Sequence, residues 1–189
     1  MATATLPASP PTPLLTAAEF ARRYAGRRAE LVDGIAVELP VPQQKHGKVC
    51  FRAAQAIGNF ADAHDAGHVT TNDSFVRTAS DPDRVRGADV CFFSYARLPK
   101  GDLPDGLLPV APDLVVEVRS PSDGWNEVFI KVGEYLTAGV RAVVVLDVAT
   151  RSAIVYRTDT RPQMFEPEGE LTVPDVLPGF AVAVGRLFE

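Results

Sequence analysis

The sequence predicts a mixed β-sheet flanked by helices, an α/β (α+β) fold, and three observations predict it. "DLVVEV" and "RAVVVLDV" are apolar runs of strand length, and the segment between them repeats its apolar residues at helical spacing. "RAELVDGIAVEL" sets Asp33-Gly34 between two strand-like stretches, the pattern of a hairpin with a type I′ turn. The stretch from about Gln44 to Asp65 reads as a long helix. Hairpin, helix, strands, helix, strands is an order that builds one sheet with helices on its faces.

The elements follow in chain order. "MATATLPASPPTP" has four prolines, no basic start and no apolar core, so 1–13 reads as a disordered leader and not as a signal peptide. A single domain is expected over 14–189. In "LLTAAEFARRYA", Thr16 and Glu19 match a capping box, and a short helix runs to about Ala25. The hairpin follows. In the long helix, Val49, Ala53, Ala56, Ile57, Phe60 and His64 recur at helical spacing, with Gly67 as the stop. "HVTTNDSFVRT" is a strand, "SDPDRVRG" a turn and "ADVCFFSY" a strand. "ARLPKGDLPDGLLPVAP" is a long loop, a kind that is often functional or mobile. After "APDLVVEVRSPSD" come a helix from about Asn126 to Ala138, the strand "RAVVVLDV", and strand patterns in "SAIVYRT" and "MFEPEGEL". There is no internal repeat.

Composition narrows the function classes. The chain has 189 residues, 46% hydrophobic and 23% charged, enough for one real core. A formal net charge of −5 argues against a strongly basic, sequence-independent nucleic-acid binder, although a local basic patch can still bind phosphates. No stretch is long enough to span a membrane. Cys50 and Cys91 sit in apolar contexts without metal-ligand spacing and read as buried free thiols, which fits a reducing, cytoplasmic setting. No P-loop, no dinucleotide glycine fingerprint and no Ser-His-Asp or Cys-His arrangement stands out.

The informative residues are charged ones in apolar company. In "DLVVEVR", Leu114, Val116 and Val118 point one way, and Val115, Glu117 and Arg119 the other. Glu117 is therefore a carboxylate in a core strand, which needs a partner or a purpose. Asp89 stands at the start of the apolar run "ADVCFF"; if the two strands are neighbours, Asp89 and Glu117 converge at one edge of the sheet. On the next helix, Val128, Phe129, Val132, Tyr135, Leu136 and Gly139 form an apolar stripe, with Lys131 beside it and able to reach back over the sheet. Glu30 is a further acid flanked by strand-like apolar residues. Carboxylates converging with a lysine suit a hard cation: Mg²⁺ takes one or two carboxylates plus waters and phosphate oxygens.

Taken together, "AELVDGIAVEL", "QKHGKV", "GADVCFF", "APDLVVEVRSPSD", "KVGEYLTAGVRAVVVLD" and "LPGFAVAVGRLF" resemble the Uma2 family, over roughly residues 15–189. The resemblance implies a restriction-endonuclease-like PD-(D/E)XK fold and metal-dependent endonuclease activity. It assigns Asp89 as the motif aspartate and Glu117 as its (D/E). The motif lysine falls two residues later, where this chain has Arg119; the family position on the following helix is matched by Lys131. Glu30 matches the N-terminal acid and His46 a frequent histidine at the start of the long helix.

The expected site is thus Glu30, Asp89, Glu117 and Lys131, with Asp89 and Glu117 on Mg²⁺, Mn²⁺ as a substitute, and His46, Lys45 and Ser120 as phosphate contacts. Lys45, Lys48 and Arg52 share a helix face, and Arg77, Arg84 and Arg86 flank the Asp89 strand and can line a groove. DNA is the expected partner, with RNA or a small nucleotide as the variant and a homodimer as the expected assembly. Bland readings stand beside these. Glu117 can pair with Arg119 or Lys131, Lys131 with Glu127 or Glu134, and Asp113 can serve as a strand cap. The competing function is an inactive nucleic-acid-binding or protein-assembly module with the same fold.

Overall fold

The computed structural model describes residues 13–121 and 123–189. All but the last of the positions assigned to the leader lie outside the described residues. Helix α1 (Ala17–Arg23) begins at Thr16, whose side chain and that of Glu19 complete the capping box. It ends two residues earlier than the sequence suggests. Strands β1 (Ala29–Val32) and β2 (Ile35–Glu38) form the hairpin, and Asp33 and Gly34 both have positive φ, as a type I′ turn requires.

Helix α2 (Gln44–Ala63) buries Val49, Ala53, Ile57 and Ala61 on one stripe. It stops at His64, not at Gly67. Gly67 instead opens β3 (Gly67–Ala79), where a Cβ would lie 2.1 Å from the Phe93 carbonyl oxygen. Strand β4 (Arg84–Ser94) takes in Arg84–Gly87, a stretch whose sequence pattern is that of a turn. Its pairing with β3 explains the difference: Arg86 and Gly87 stand opposite Val76 and Phe75. Strand β5 (Leu114–Arg119), helix α3 (Trp125–Thr137) and strand β6 (Ala142–Asp147) make a β–α–β unit, and β5 and β6 are parallel. Strands β7 (Ser152–Tyr156) and β8 (Gln163–Phe165) extend the sheet. Strands β9 (Glu170–Thr172) and β10 (Ala181–Ala183) form a separate pair, and a 3₁₀ helix closes the chain at Val184–Phe188.

The main sheet runs β2-β1-β4-β5-β6-β7-β8, with β3 on the other edge of β4. Its two faces carry different partners. Val90, Phe92, Val116, Val144 and Leu146 pack with α2 and the C-terminal segment. Val115, Val143, Val145, Cys91 and Phe93 pack with Val128, Val132 and Tyr135 of α3. Phe129 leaves the expected stripe: it is 49% exposed, stacked on Trp125.

Strand β4 departs from regular pairing in three places, one of them a register shift with β3 between Arg77 and Ala79. Strands β1 and β5 share the same edge of β4. Leu31 pairs with Val85 and Val116 with Val90, each opposite β3, so that edge is open between Val85 and Val90. The ladder between β3 and β4 also shifts register between Thr71 and Ser74. There Ala88 packs on the α3 face and Val90 on the α2 face, so the alternation of β4 slips at Asp89. A register irregularity of this kind re-aims a side chain.

Candidate active site at the split in the sheet

Glu30, Arg86, Asp89 and Glu117 each adjoin one of the two register pairs that bound the opening in β4, and α3 covers it with Lys131, Glu134 and Tyr135. Those three share a helix face because they lie three and four positions apart. Glu30, 3% exposed, accepts from Lys131 Nζ at 2.6 Å, from Arg86 Nη1 at 2.8 Å and from the Gly87 backbone N–H at 3.3 Å. Arg86 donates through Nε and Nη2 to Glu134 at 2.6 and 2.8 Å, a bidentate pair.

Glu117 lies beside this network but is less well matched. Its Oε1 accepts from the Tyr135 hydroxyl at 2.6 Å, and its Oε2 is 4.0 Å from Lys131 Nζ. Asp89 Oδ2 accepts from the Val118 backbone N–H at 2.7 Å, which ties it to the strand carrying Glu117. His46, on the first turn of α2, sets Nε2 3.4 Å from the same oxygen. Cys50, four residues further along α2, sets Sγ 3.4 Å from His46 Nδ1. Ligand atoms of His46, Cys50 and Asp89 all lie within 4.8 Å of one another.

The electrostatics follow from these contacts. Burial raises the Glu117 carboxyl, Lys131 opposes, and Asp89 adds to the rise, so its pKa is pushed up to about 7. Burial also raises Glu30, but Lys131 and Arg86 outweigh it and hold its pKa below the usual carboxylate range. Burial works against the Lys131 charge, yet Glu117 and Glu30 hold its pKa above the ordinary lysine value. The site therefore holds one firmly ionised acid, one acid poised near neutrality, and a charged lysine between them.

Residues 17–185 match the family model of Uma2, whose description reads "Putative restriction endonuclease". The chain belongs to the Uma2 family. Among solved structures, this Uma2 chain is similar to one described as "a putative nuclease belonging to DUF820" from Anabaena variabilis. The TM-score is 0.79 at 21% identity, over 92% of this chain and 97% of that one, so the two share a fold. No curated protein matches the chain. The mixed sheet, its flanking helices and its N-terminal hairpin are those the sequence leads us to expect.

Of the residues singled out in this Uma2 chain, Glu30, Asp89, Glu117 and Lys131 meet at the opening, and His46 joins them through Asp89. Lys45 is exposed and has no ion pair among the described residues. Ser120 makes no bond to a site carboxylate: its backbone N–H donates to Asp123 at 2.8 Å within the turn. Arg119 does not stand in for the motif lysine, because it pairs with Asp147 at 3.1 Å and lies over the Trp125 ring. Asp113 is structural, accepting from the Ser94 N–H at 2.8 Å beside Arg97. Arg77 and Arg84 are paired with Asp83 and Asp33, so the groove they were expected to line has less free charge than their number suggests.

Four participants have roles other than those the sequence suggests: Arg86, expected to line a groove, clamps Glu30 and Glu134; Glu134 pairs with Arg86 and not with Lys131; Tyr135 and Cys50 reach Glu117 and His46, respectively. Tyr135 is visible in the sequence only as a stripe residue, though it lies four positions after Lys131. Cys50 lies four after His46, a spacing that a search for Cys-Cys or His-His pairs passes over. Among the described residues no helix is long and apolar enough to cross a membrane.

Proposed function

We propose that this Uma2 chain is a Mg²⁺-dependent endonuclease that hydrolyses phosphodiester bonds of DNA. The observation that carries the reading is the state of Glu117: a largely enclosed carboxylate, its side chain 12% exposed, beside Asp89, whose lysine is held more closely by Glu30. A carboxylate pushed up to about 7 by burial, with Lys131 only partly offsetting it and Asp89 adding to the rise, is one that a divalent cation would complete. Asp89 and Glu117 would hold that ion, and their oxygen donors fit Mg²⁺ or Mn²⁺. When bound, the cation supplies Lewis-acid stabilisation of charge on the phosphate.

The protein's own residues do the rest. Lys131 presents an ammonium at the opening, where it orients the attacking water and balances charge on the phosphate. Glu30 is a positioning residue: its oxygens already accept from Lys131, Arg86 and Gly87, so it fixes the lysine and does not meet substrate. Tyr135 fixes Glu117 in the same way. Hydrolysis joins the water oxygen to phosphorus, breaks the bond to the leaving oxygen, and returns a proton to that oxygen. Lys45, His46 and Ser120 lie on the segments flanking Asp89 and Glu117, where phosphates of the strand would pass. The restriction-endonuclease description of the family supports DNA as substrate. Two copies of the chain would cut two strands.

A second reading, an inactive module that binds nucleic acid or assembles with protein, is favoured by Arg119 at the motif-lysine position and by its pairing with Asp147. One experiment separates the two. Mn²⁺ is titrated into the pure protein by calorimetry, with Asp89→Asn and Glu117→Gln as controls, and the same proteins are incubated with supercoiled plasmid and Mg²⁺. Binding and nicking that both substitutions abolish support the nuclease. A folded protein that neither takes up Mn²⁺ with DNA present nor cuts DNA or RNA is the inactive module.

A further inference from the structure

His46 stands between a thiol and a carboxylate. Its Nδ1 faces Cys50 Sγ and its Nε2 faces Asp89 Oδ2, each at 3.4 Å. The His46 and Asp89 side chains are only 12% and 10% exposed, and Cys50 is half-buried. Two features of the fold bring the three together: the one-turn spacing of His46 and Cys50 on α2, and the slip in β4 that turns Asp89 toward α2. The Cys50 thiol has no part in the proposed phosphodiesterase chemistry.

A cysteine sulfur, an imidazole and a carboxylate are not a magnesium set. Mg²⁺ takes oxygen ligands in an octahedron, whereas sulfur and nitrogen ligands with a carboxylate suit Zn²⁺ and Co²⁺ in four-coordinate sites. We propose that His46, Cys50 and Asp89 bind a thiophilic divalent cation such as Zn²⁺, and that this ion takes Asp89 away from the Mg²⁺ site. The claim of competition rests on the nuclease reading; the claim of binding does not. As the metal–sulfur bond forms, the Cys50 thiol proton leaves to solvent. His46 gives one ring nitrogen to the ion, and the other is left to a hydrogen bond. Cys91 offers no such alternative, being fully buried among Phe93, Val115 and Val143 on the α3 side.

The test uses the full chain in a phosphine reductant, with Co²⁺ as the probe because its thiolate complexes absorb strongly in the near ultraviolet. The expected result is a thiolate-to-cobalt band that saturates at one equivalent and disappears in Cys50→Ser. His46→Gln should weaken cobalt binding roughly tenfold or more. In the second arm, protein preloaded with Zn²⁺ should lose its calorimetric Mn²⁺ uptake. Absence of the band in the wild-type protein, or an unchanged band in Cys50→Ser, overturns the site. Undiminished Mn²⁺ uptake by the Zn²⁺-loaded protein overturns the competition. No Mn²⁺ uptake even without Zn²⁺ is a failure of the nuclease reading, and the cobalt band then decides the thiophilic site by itself.

Discussion

Lys131 lies nearer to Glu30 than to Glu117, 2.6 Å against 4.0 Å. The two acids therefore share one lysine unequally, and each responds differently to a change of pH, metal or side chain.

Glu117 has a folded pKa above its unfolded value, so its contribution to stability is full below about pH 4.5 and is lost as pH rises through about 7. Without metal, wild-type stability should fall over that window. Glu117→Gln should remove this fall and raise stability at pH 8 by about 1–3 kcal/mol, measured by urea unfolding at pH 5 and pH 8. An equal fall in both proteins would place the titration elsewhere.

Metal should reverse the same deficit. Mn²⁺ at about 100 times its Kd should stabilise wild type by about 2.7 kcal/mol, and Asp89→Asn and Glu117→Gln little or not at all. Thermal melting with and without Mn²⁺ reads this directly.

Tyr135→Phe removes the hydroxyl that donates to Glu117 Oε1 at 2.6 Å. The Glu117 pKa should rise further, and at pH 8 the protein should lose about 1–3 kcal/mol. The inflection of stability against pH should move upward, a shift that simple loss of packing would not give.

Lys131→Met leaves Glu117 without its cation and Glu30 with Arg86 alone among its charged partners. Plasmid nicking should be abolished while Mn²⁺ binding to Asp89 and Glu117 persists, seen by calorimetry. Arg86→Met should instead act on the fold, at about 3–5 kcal/mol, because it leaves buried Glu30 with Lys131 as its one cation and takes the bidentate partner from part-buried Glu134. Urea unfolding measures that cost.

Local patterns are legible where one element suffices to read them. Asp33-Gly34 marks its turn, the alternation through "LVVEVR" sets Glu117 apart from Val116 and Val118, and Lys131 is placed beside its stripe by angle alone. Tertiary pairing decides the rest. Nothing near Glu30 in the chain says that Arg86 will clamp it, since the pair is formed by β1 meeting β4. Arg84–Gly87 resembles a turn until β3 pairs with it. The slip at Asp89 depends on a register shift with β3, so the approach of His46 and Cys50 to that carboxylate cannot be read from "QKHGKVC".

Strand β1 joins the rest of the sheet through the pairing of Leu31 with Val85, while Glu30–Lys131, Glu30–Arg86 and Asp33–Arg84 hold it by charge. Two of these three rivets of the N-terminal hairpin, both on Glu30, are thus bonds that balance the site. A phosphate that draws Lys131 away from Glu30 loosens one of them. On the proposed reading, amide exchange along β1 should then quicken when DNA is added, making the hairpin a gauge of occupancy some distance in sequence from Asp89, Glu117 and Lys131.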